Sequence, residues 1–257
     1  MTTAAATTLS RVRRAFAVIA CGLSLAAPSA AFAQGRPVVW VQAGHEGPRE
    51  PGYRDQTGAG SGPFGSEVEF NRRTARAVIA KLAAAGVDAR STPGLVTPYG
   101  SRGATFISIH HDAPGGSAAV GHALASGGGE NFYHGEGGGD ASPTPYSDSA
   151  PHRRATSISA TVERRSLALA TKVAAVLGKT RSGAGARAPF LGVVAPGGNR
   201  RMMHFYGYYR TRSEARILVE CGAAGIDDAF LARTDLIATA LSGAIVSDLN
   251  ARGLLGG

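Results

Sequence analysis

The stretch Thr105-Phe106-Ile107-Ser108-Ile109-His110 predicts a buried strand, because β-branched and aromatic residues dominate it and a loop follows. The stretch Arg216-Ile217-Leu218-Val219-Glu220-Cys221 predicts a second buried strand for the same reason. Shorter strands are predicted over 38–41 and 87–91. Amphipathic helices are predicted over 66–86, 157–178 and 227–251. Strands that alternate with helices in this way indicate a layered α/β fold.

The middle of the chain gives weaker signals. Residues 122–126 and 202–209 have strand-like composition, and residues 180–201 are predicted to be a loop with short extended pieces. Residues 127–153 are rich in glycine and polar side chains, which predicts a long Gly-rich loop inserted into the domain. We therefore expect one domain, over 34–257, and no internal repeat.

The first 33 residues have the layout of a secretory signal peptide. Three arginines precede an apolar run from Ala15 to Ala27, which is short for a membrane span. Ala31-Phe32-Ala33 then offers a cleavage site, so we expect a mature chain that begins near Gln34. Two variants of export stay open, a twin-arginine signal at Arg13-Arg14 and lipidation at Cys21. The predicted location is the periplasm, or the cell wall and extracellular space.

The charge of the chain indicates its partner only broadly. The net charge of +9 falls to +6 without the signal, which contains three arginines and no acidic residue. A basic exported protein suits an anionic polymer such as a bacterial wall. No Lys- or Arg-rich run is interleaved with aromatic residues, which argues against a nucleic-acid partner. The mature chain has no predicted transmembrane segment, and its oligomeric state is not predicted.

Three potential metal ligands stand at the ends of predicted elements. His45 follows the first strand, Glu67 lies in the first turn of a helix, and His110 ends a strand. Active-site groups of α/β proteins gather at the carboxyl ends of strands. Two histidines and one carboxylate, with a fourth position for water, form a common catalytic zinc set. The neighbouring Glu69 is explained by a capping box with Ser66, which leaves Glu67 for the metal.

Glu220 is the fourth candidate. A carboxylate at the end of an apolar strand is costly unless it is paired or functional, and burial would raise its pKa toward that of a general acid or base. The alternative is a salt bridge with an arginine such as Arg216. The next residue, Cys221, is predicted to be an inert, packed thiol.

The order of these motifs resembles one known family. Ala43-Gly44-His45-x-Gly47, Glu67-x-x-x-Asn71, Phe106-Ile107-Ser108-Ile109-His110-x-Asp112-Ala113 and Leu218-Val219-Glu220-x-Gly222 together resemble the zinc-dependent N-acetylmuramoyl-L-alanine amidases, which are cell-wall autolysins. The resemblance spans about residues 37–252. It implies a three-layer α/β/α fold with a mostly parallel or mixed central sheet.

The resemblance also implies a reaction. Zn2+ would be held by His45, Glu67 and His110, and Glu220 would move a proton from water to the leaving amine. The bond cleaved would join N-acetylmuramic acid to L-alanine in peptidoglycan or muropeptides. A protein activator, if any, is not identified by the sequence.

Departures from the family keep other functions open. Residues 92–104 are short for a crossover between parallel strands, Asp112 replaces a common asparagine, and the insert at 127–153 is unusual. One alternative is a zinc hydrolase of another amide. A second is an inactive relative that binds the wall, and a third is an enzyme whose 127–153 loop acts as a lid.

Overall fold

A six-stranded sheet forms the centre of the fold. The protein is described by a computed structural model over residues 35–47, 57–92, 94, 100–125, 156–194 and 211–255. In chain order the elements are β1 (Val38–Ala43), β2 (Ser61–Gly62), β3 (Gly65–Ser66), α1 (Glu67–Ala84), β4 (Asp88–Thr92), β5 (Thr105–Asp112), β6 (Ala118–His122), α2 (Ala160–Gly183), β7 (Phe190–Val194), β8 (Ala215–Ala223), α3 (Asp228–Leu231) and α4 (Thr234–Ala251).

The strand order in this sheet is β4-β1-β5-β8-β6-β7. Neighbouring strands are parallel except for β6 and β8, which are antiparallel. Helices flank the sheet, which is consistent with the predicted three-layer α/β/α fold and confirms the fold class. The short strands β2 and β3 form a separate antiparallel pair just before α1.

The hydrophobic core lies between alternate strand residues and the long helices. Val41 of β1, Ile109 of β5 and Val219 of β8 are fully buried and belong to one cluster with apolar side chains of α1, α2 and α4. This alternation sends the intervening residues of each strand to the opposite face. None of the described helices combines the length and the apolar character needed to cross a membrane.

The predicted elements match the structure best where the hydrophobic pattern is strong. The strands at 105–110 and 216–221 are confirmed as β5 and β8, each slightly longer than predicted. The strand predicted at 122–126 is wrong, because β6 covers Ala118–His122 instead. The small residues of β6 carry little strand signal in the sequence, yet all five are buried beside β8.

Three further predictions lie outside the described residues. These are the signal peptide over 1–33, the Gly-rich loop at 127–153 and the strand at 202–209. Within the region predicted as loop with extended pieces, the described part contains β7, which pairs with β6.

A buried ion pair holds the end of β8 in place. The guanidinium of Arg181, near the end of α2, lies 2.9 Å from the Asp227 carboxylate, and both side chains are almost fully buried. Arg181 also donates to the carbonyl oxygen of Cys221. Asp227 accepts hydrogen bonds from the backbone N–H groups of Arg187 and Ala188. These contacts join α2, the approach to β7 and the strand that carries Glu220.

We predict that Arg181→Ala destabilises the protein by about 3–5 kcal/mol, because the change leaves the Asp227 carboxylate buried without its ionic partner. The measurement is urea unfolding. Lys81→Ala is the matched control, since Lys81 pairs with the exposed Asp235 and such pairs contribute only about 0–1 kcal/mol. Equal losses in the two variants would contradict the structural role of Arg181.

Candidate metal centre

The side chains of His45, Glu67 and His110 meet at one edge of the sheet. Glu67 Oε1 lies 3.2 Å from His45 Nε2 and 3.0 Å from His110 Nδ1. One potential ligand atom from each residue lies within 4.8 Å of the others. Glu67 and His110 are buried, and His45 is 13% exposed. The three residues therefore form a group that could hold a metal ion.

His45 occupies a strained turn after β1. Its φ angle is 62°, in the left-handed region that non-glycine residues seldom adopt. Two hydrogen bonds fix the residue just before it. The Gly44 N–H donates to the Ile109 carbonyl oxygen, and the Asn71 side-chain amide donates to the Gly44 carbonyl oxygen. Strain that is held in this way is common at functional sites, where it sets the direction of a side chain.

Glycine at position 44 lets the turn approach His110. A Cβ atom on Gly44 would overlap the His110 imidazole ring. Gly58 has the same relation to the Glu67 carboxylate, and its φ of 82° also favours glycine. The positions of His110 and Glu67 therefore each require a glycine next to them.

Glu67 is fixed by its position at the start of α1. Its second oxygen, Oε2, accepts a hydrogen bond of 2.6 Å from the Ala59 N–H. Burial favours a higher pKa for Glu67, but hydrogen bonds with His110 and His45 outweigh it and hold the pKa well below the usual range. Glu67 is therefore a carboxylate at neutral pH, which is the form that binds metals.

Glu69 has the separate role expected of a capping residue. Its carboxylate accepts hydrogen bonds from the backbone N–H and the hydroxyl of Ser66. Of the two glutamates in the first turn of α1, Glu67 thus belongs to the metal group and Glu69 to the helix cap.

His110 contacts Ser108, which in turn binds Gln42, and the sequence interpretation missed both of these side chains. Its Nε2 lies 3.1 Å from Ser108 Oγ, and the Ser108 hydroxyl donates to Gln42 Oε1 at 2.6 Å. Burial lowers the pKa of His110, which favours the neutral imidazole that a metal requires. The only sequence signal for this contact is the presence of polar residues within two apolar strands.

Glu220 lies next to His110 on the neighbouring strand. The two residues are register partners of β8 and β5, and the register shifts immediately after them. The Glu220 side chain is partly exposed, but its Oε2 atom is buried and has no hydrogen-bond partner among the described residues. Burial, followed by the negative charges of Glu67 and Asp112, raises the pKa of Glu220 well above its usual value.

The salt bridge with Arg216 that the sequence left open is not formed. The Arg216 guanidinium donates to the Ser213 carbonyl oxygen and to Thr156 Oγ1. Asp112, which departs from the family pattern, builds a turn, because its carboxylate accepts from the N–H groups of Ala113 and Ser117. Among the described residues, Glu220 is therefore a carboxylate near the metal group that lacks a structural explanation.

The other polar groups around the site belong to the core. His111 lies on the opposite face of β5 and packs its ring against Phe64 and Phe70, at centroid distances of 4.9 and 5.3 Å. Cys221 is buried, and burial raises its thiol pKa, which keeps the thiol protonated. This agrees with the inert role predicted for Cys221.

The residues present fit a bound cation. The group combines an ionised carboxylate, a neutral histidine and an unpartnered buried oxygen on the adjacent strand. A positive charge among them would stabilise the charged form of both Glu67 and Glu220, because opposite charges at short range favour ionisation.

The same fold occurs in several solved structures. The first is AmiC2, an N-acetylmuramoyl-L-alanine amidase of Nostoc punctiforme, with a TM-score of 0.51 and 16% identity over 84% of this chain and 99% of that chain. The chain shares its fold with N-acetylmuramoyl-L-alanine amidases. The resemblance inferred from the sequence is thus confirmed at the level of the fold.

Two mycobacterial enzymes give similar values. The amidase Ami1 of Mycobacterium smegmatis matches with a TM-score of 0.52 and 16% identity, over 85% of this chain and 99% of that one. Ami1 of Mycobacterium abscessus matches with a TM-score of 0.50 and 16% identity, over 84% and 99%. No protein-family model matches the chain, and no curated protein matches it in sequence.

We predict that Gly44→Ala weakens metal binding by roughly ten- to a hundredfold, the range typical of changes that misorient a ligand. The added methyl group displaces the His110 ring. The measurement is competition for the metal with a chromophoric chelator. Gly243→Ala, in α4, is the matched control, because its Cβ would meet no atom within 4 Å. Equal affinity in the two variants would show that His110 does not bind the metal.

Proposed function

We propose that this protein is a zinc-dependent amidase that cleaves the bond between N-acetylmuramic acid and L-alanine in peptidoglycan. The observation that carries the proposal is the convergence of His45, Glu67 and His110 beside Glu220, whose buried oxygen has no partner among the described residues. The shared fold supports an amide hydrolase of this kind.

The types of ligand atom, and their closeness, support zinc. Glu67 Oε1 lies 3.2 Å from His45 Nε2 and 3.0 Å from His110 Nδ1. Two imidazoles and one carboxylate form a donor set that is typical of catalytic zinc.

Zinc held by these residues supplies Lewis-acid chemistry, which polarises an amide carbonyl and makes water a stronger nucleophile. Glu220 takes a proton from the attacking water, and the C–N bond of the amide then breaks. Glu220 passes this proton to the leaving nitrogen of L-alanine. The products are a carboxylate on the lactyl group of the sugar and a stem peptide with a free amino group.

The position of Glu220 suits this transfer. It is the register partner of His110 in the sheet, so the two side chains lie on the same face of the sheet. Burial raises the pKa of Glu220, and a bound cation would oppose that rise, because an opposite charge nearby favours the ionised form.

Three other proposals follow from the sequence interpretation. The protein would be exported by the segment 1–33 and act in the periplasm or outside the cell. Residues 34–257 would form the single catalytic domain, with residues 127–153 as an insert. Its partner would be peptidoglycan or muropeptides rather than nucleic acid.

We predict that the purified protein contains about one zinc per chain and releases an intact stem peptide from a defined muropeptide. Glu220→Gln should lower kcat by about 10²–10⁴ and retain the zinc, because it removes proton transfer but none of the three ligands. Mass spectrometry of the products identifies the bond cleaved, and metal analysis gives the zinc content.

Glu214→Gln is the matched control for this variant. Glu214 lies just before β8 and pairs with Arg165 at the surface, away from the metal group, so its activity should equal that of the wild type. Binding of peptidoglycan without product release, unchanged in Glu220→Gln, would favour the non-catalytic wall-binding relative. Release of a different fragment would favour a zinc hydrolase of another amide.

A further inference from the structure

A chain of three buried polar side chains crosses from β1 to the metal group. Gln42 and Ser108 are register partners of β1 and β5, and both are completely buried. Ser108 donates its hydroxyl hydrogen to Gln42 Oε1 at 2.6 Å. Ser108 Oγ lies 3.1 Å from His110 Nε2, two residues along the same face of the strand.

The direction of the hydrogen bond between Ser108 and Gln42 suits the metal-bound form of His110. Since the Ser108 hydroxyl gives its one hydrogen to Gln42, Ser108 Oγ can accept a hydrogen from the ring. A metal bound to Nδ1 would leave the ring hydrogen on Nε2, which lies 3.1 Å from Ser108 Oγ. Without a metal, Nδ1 lies 3.0 Å from Glu67 Oε1 and hydrogen-bonds with it.

We propose that Ser108 and Gln42 are positioning residues that orient the His110 ring and favour its Nε2–H tautomer when Nδ1 binds the metal. The proposal rests on the proposed metal centre and extends it to a second layer of side chains. Ligating histidines commonly donate their other N–H to a fixed acceptor, which sets the tautomer and the ring orientation. Here the acceptor is a hydroxyl whose own hydrogen is held by an amide.

The location of the pair favours this role over ordinary packing. A polar side chain in a buried strand loses its hydration, which costs roughly 1–3 kcal/mol unless a hydrogen bond replaces the water. Leucine or valine would fill the same positions of β1 and β5 without that cost. The two polar residues are nevertheless placed side by side, in contact with the one fully buried histidine of the metal group.

The first test measures Zn2+ affinity by chelator competition. Ser108→Ala should bind Zn2+ about ten- to a hundredfold more weakly than the wild type. Ser108→Thr, which keeps the hydroxyl, should restore most of the affinity. Ser242→Ala is the matched control, because Ser242 is a buried serine of α4 that donates to Thr239, and it should bind Zn2+ like the wild type.

The second test reads the ring directly in Zn2+-loaded protein. Nitrogen-15 NMR of the histidine rings should show a hydrogen on Nε2 of His110 in the wild type, and that hydrogen should exchange with water faster in Ser108→Ala, which removes its acceptor. Gln42→Met is the second variant if Ser108→Ala does not fold. It frees the Ser108 hydroxyl to donate to the ring and should also weaken Zn2+ binding.

The two tests separate this inference from the proposed function. Wild-type affinity in Ser108→Ala, or a Zn2+-loaded wild type whose His110 carries its hydrogen on Nδ1, would overturn the positioning role alone. A wild-type protein that binds no Zn2+ would overturn the proposed function and this inference with it.

Discussion

The contact of the Glu67 carboxylate with two imidazoles is the constraint on which the site depends. Each of the three groups comes from a different part of the chain, and Glu67 and His110 are withdrawn from water. Each would be costly to bury alone. Glu67 meets this cost through hydrogen bonds with both histidines and with the Ala59 N–H, and a cation would complete the compensation. The turn at His45 and the start of α1 bring these groups together.

The parallel pairing of β5 with β8 places Glu220 beside this group. Because β1, β5 and β8 are parallel neighbours, their carboxyl ends open on the same edge, and the residues that leave them face a common space. The pairing of His110 with Glu220 then follows from register alone. The ion pair of Arg181 and Asp227 anchors the backbone just beyond Glu220, through the carbonyl of Cys221. The backbone position of Glu220, the proposed base, thus depends on the ion pair of Arg181 and Asp227, which is not part of the metal group.

The sequence predicted the parts of this arrangement that have a local signature. The apolar runs of β5 and β8 and the capping box at Ser66 follow from residue type and spacing, and so does the placement of His45, Glu67 and His110 at element ends. Strand β6 was not predicted correctly, because its small residues give little hydrophobic signal. They are buried through contacts with neighbouring strands. The hydrogen bond between Ser108 and Gln42 joins residues 66 positions apart. It depends on the register of β1 against β5, which no local pattern specifies.

Two sets of buried charges among the described residues differ in how they are satisfied. Arg181 and Asp227 pair with each other and with nearby backbone groups, which suits a structural role. Near Glu67, His45 has a left-handed backbone, and Glu220 keeps an oxygen with no partner among the described residues. Natural sequences are consistent across levels except where a function requires otherwise. The two departures lie close to one carboxylate, and this is the physical argument that this edge of the sheet is the site of chemistry.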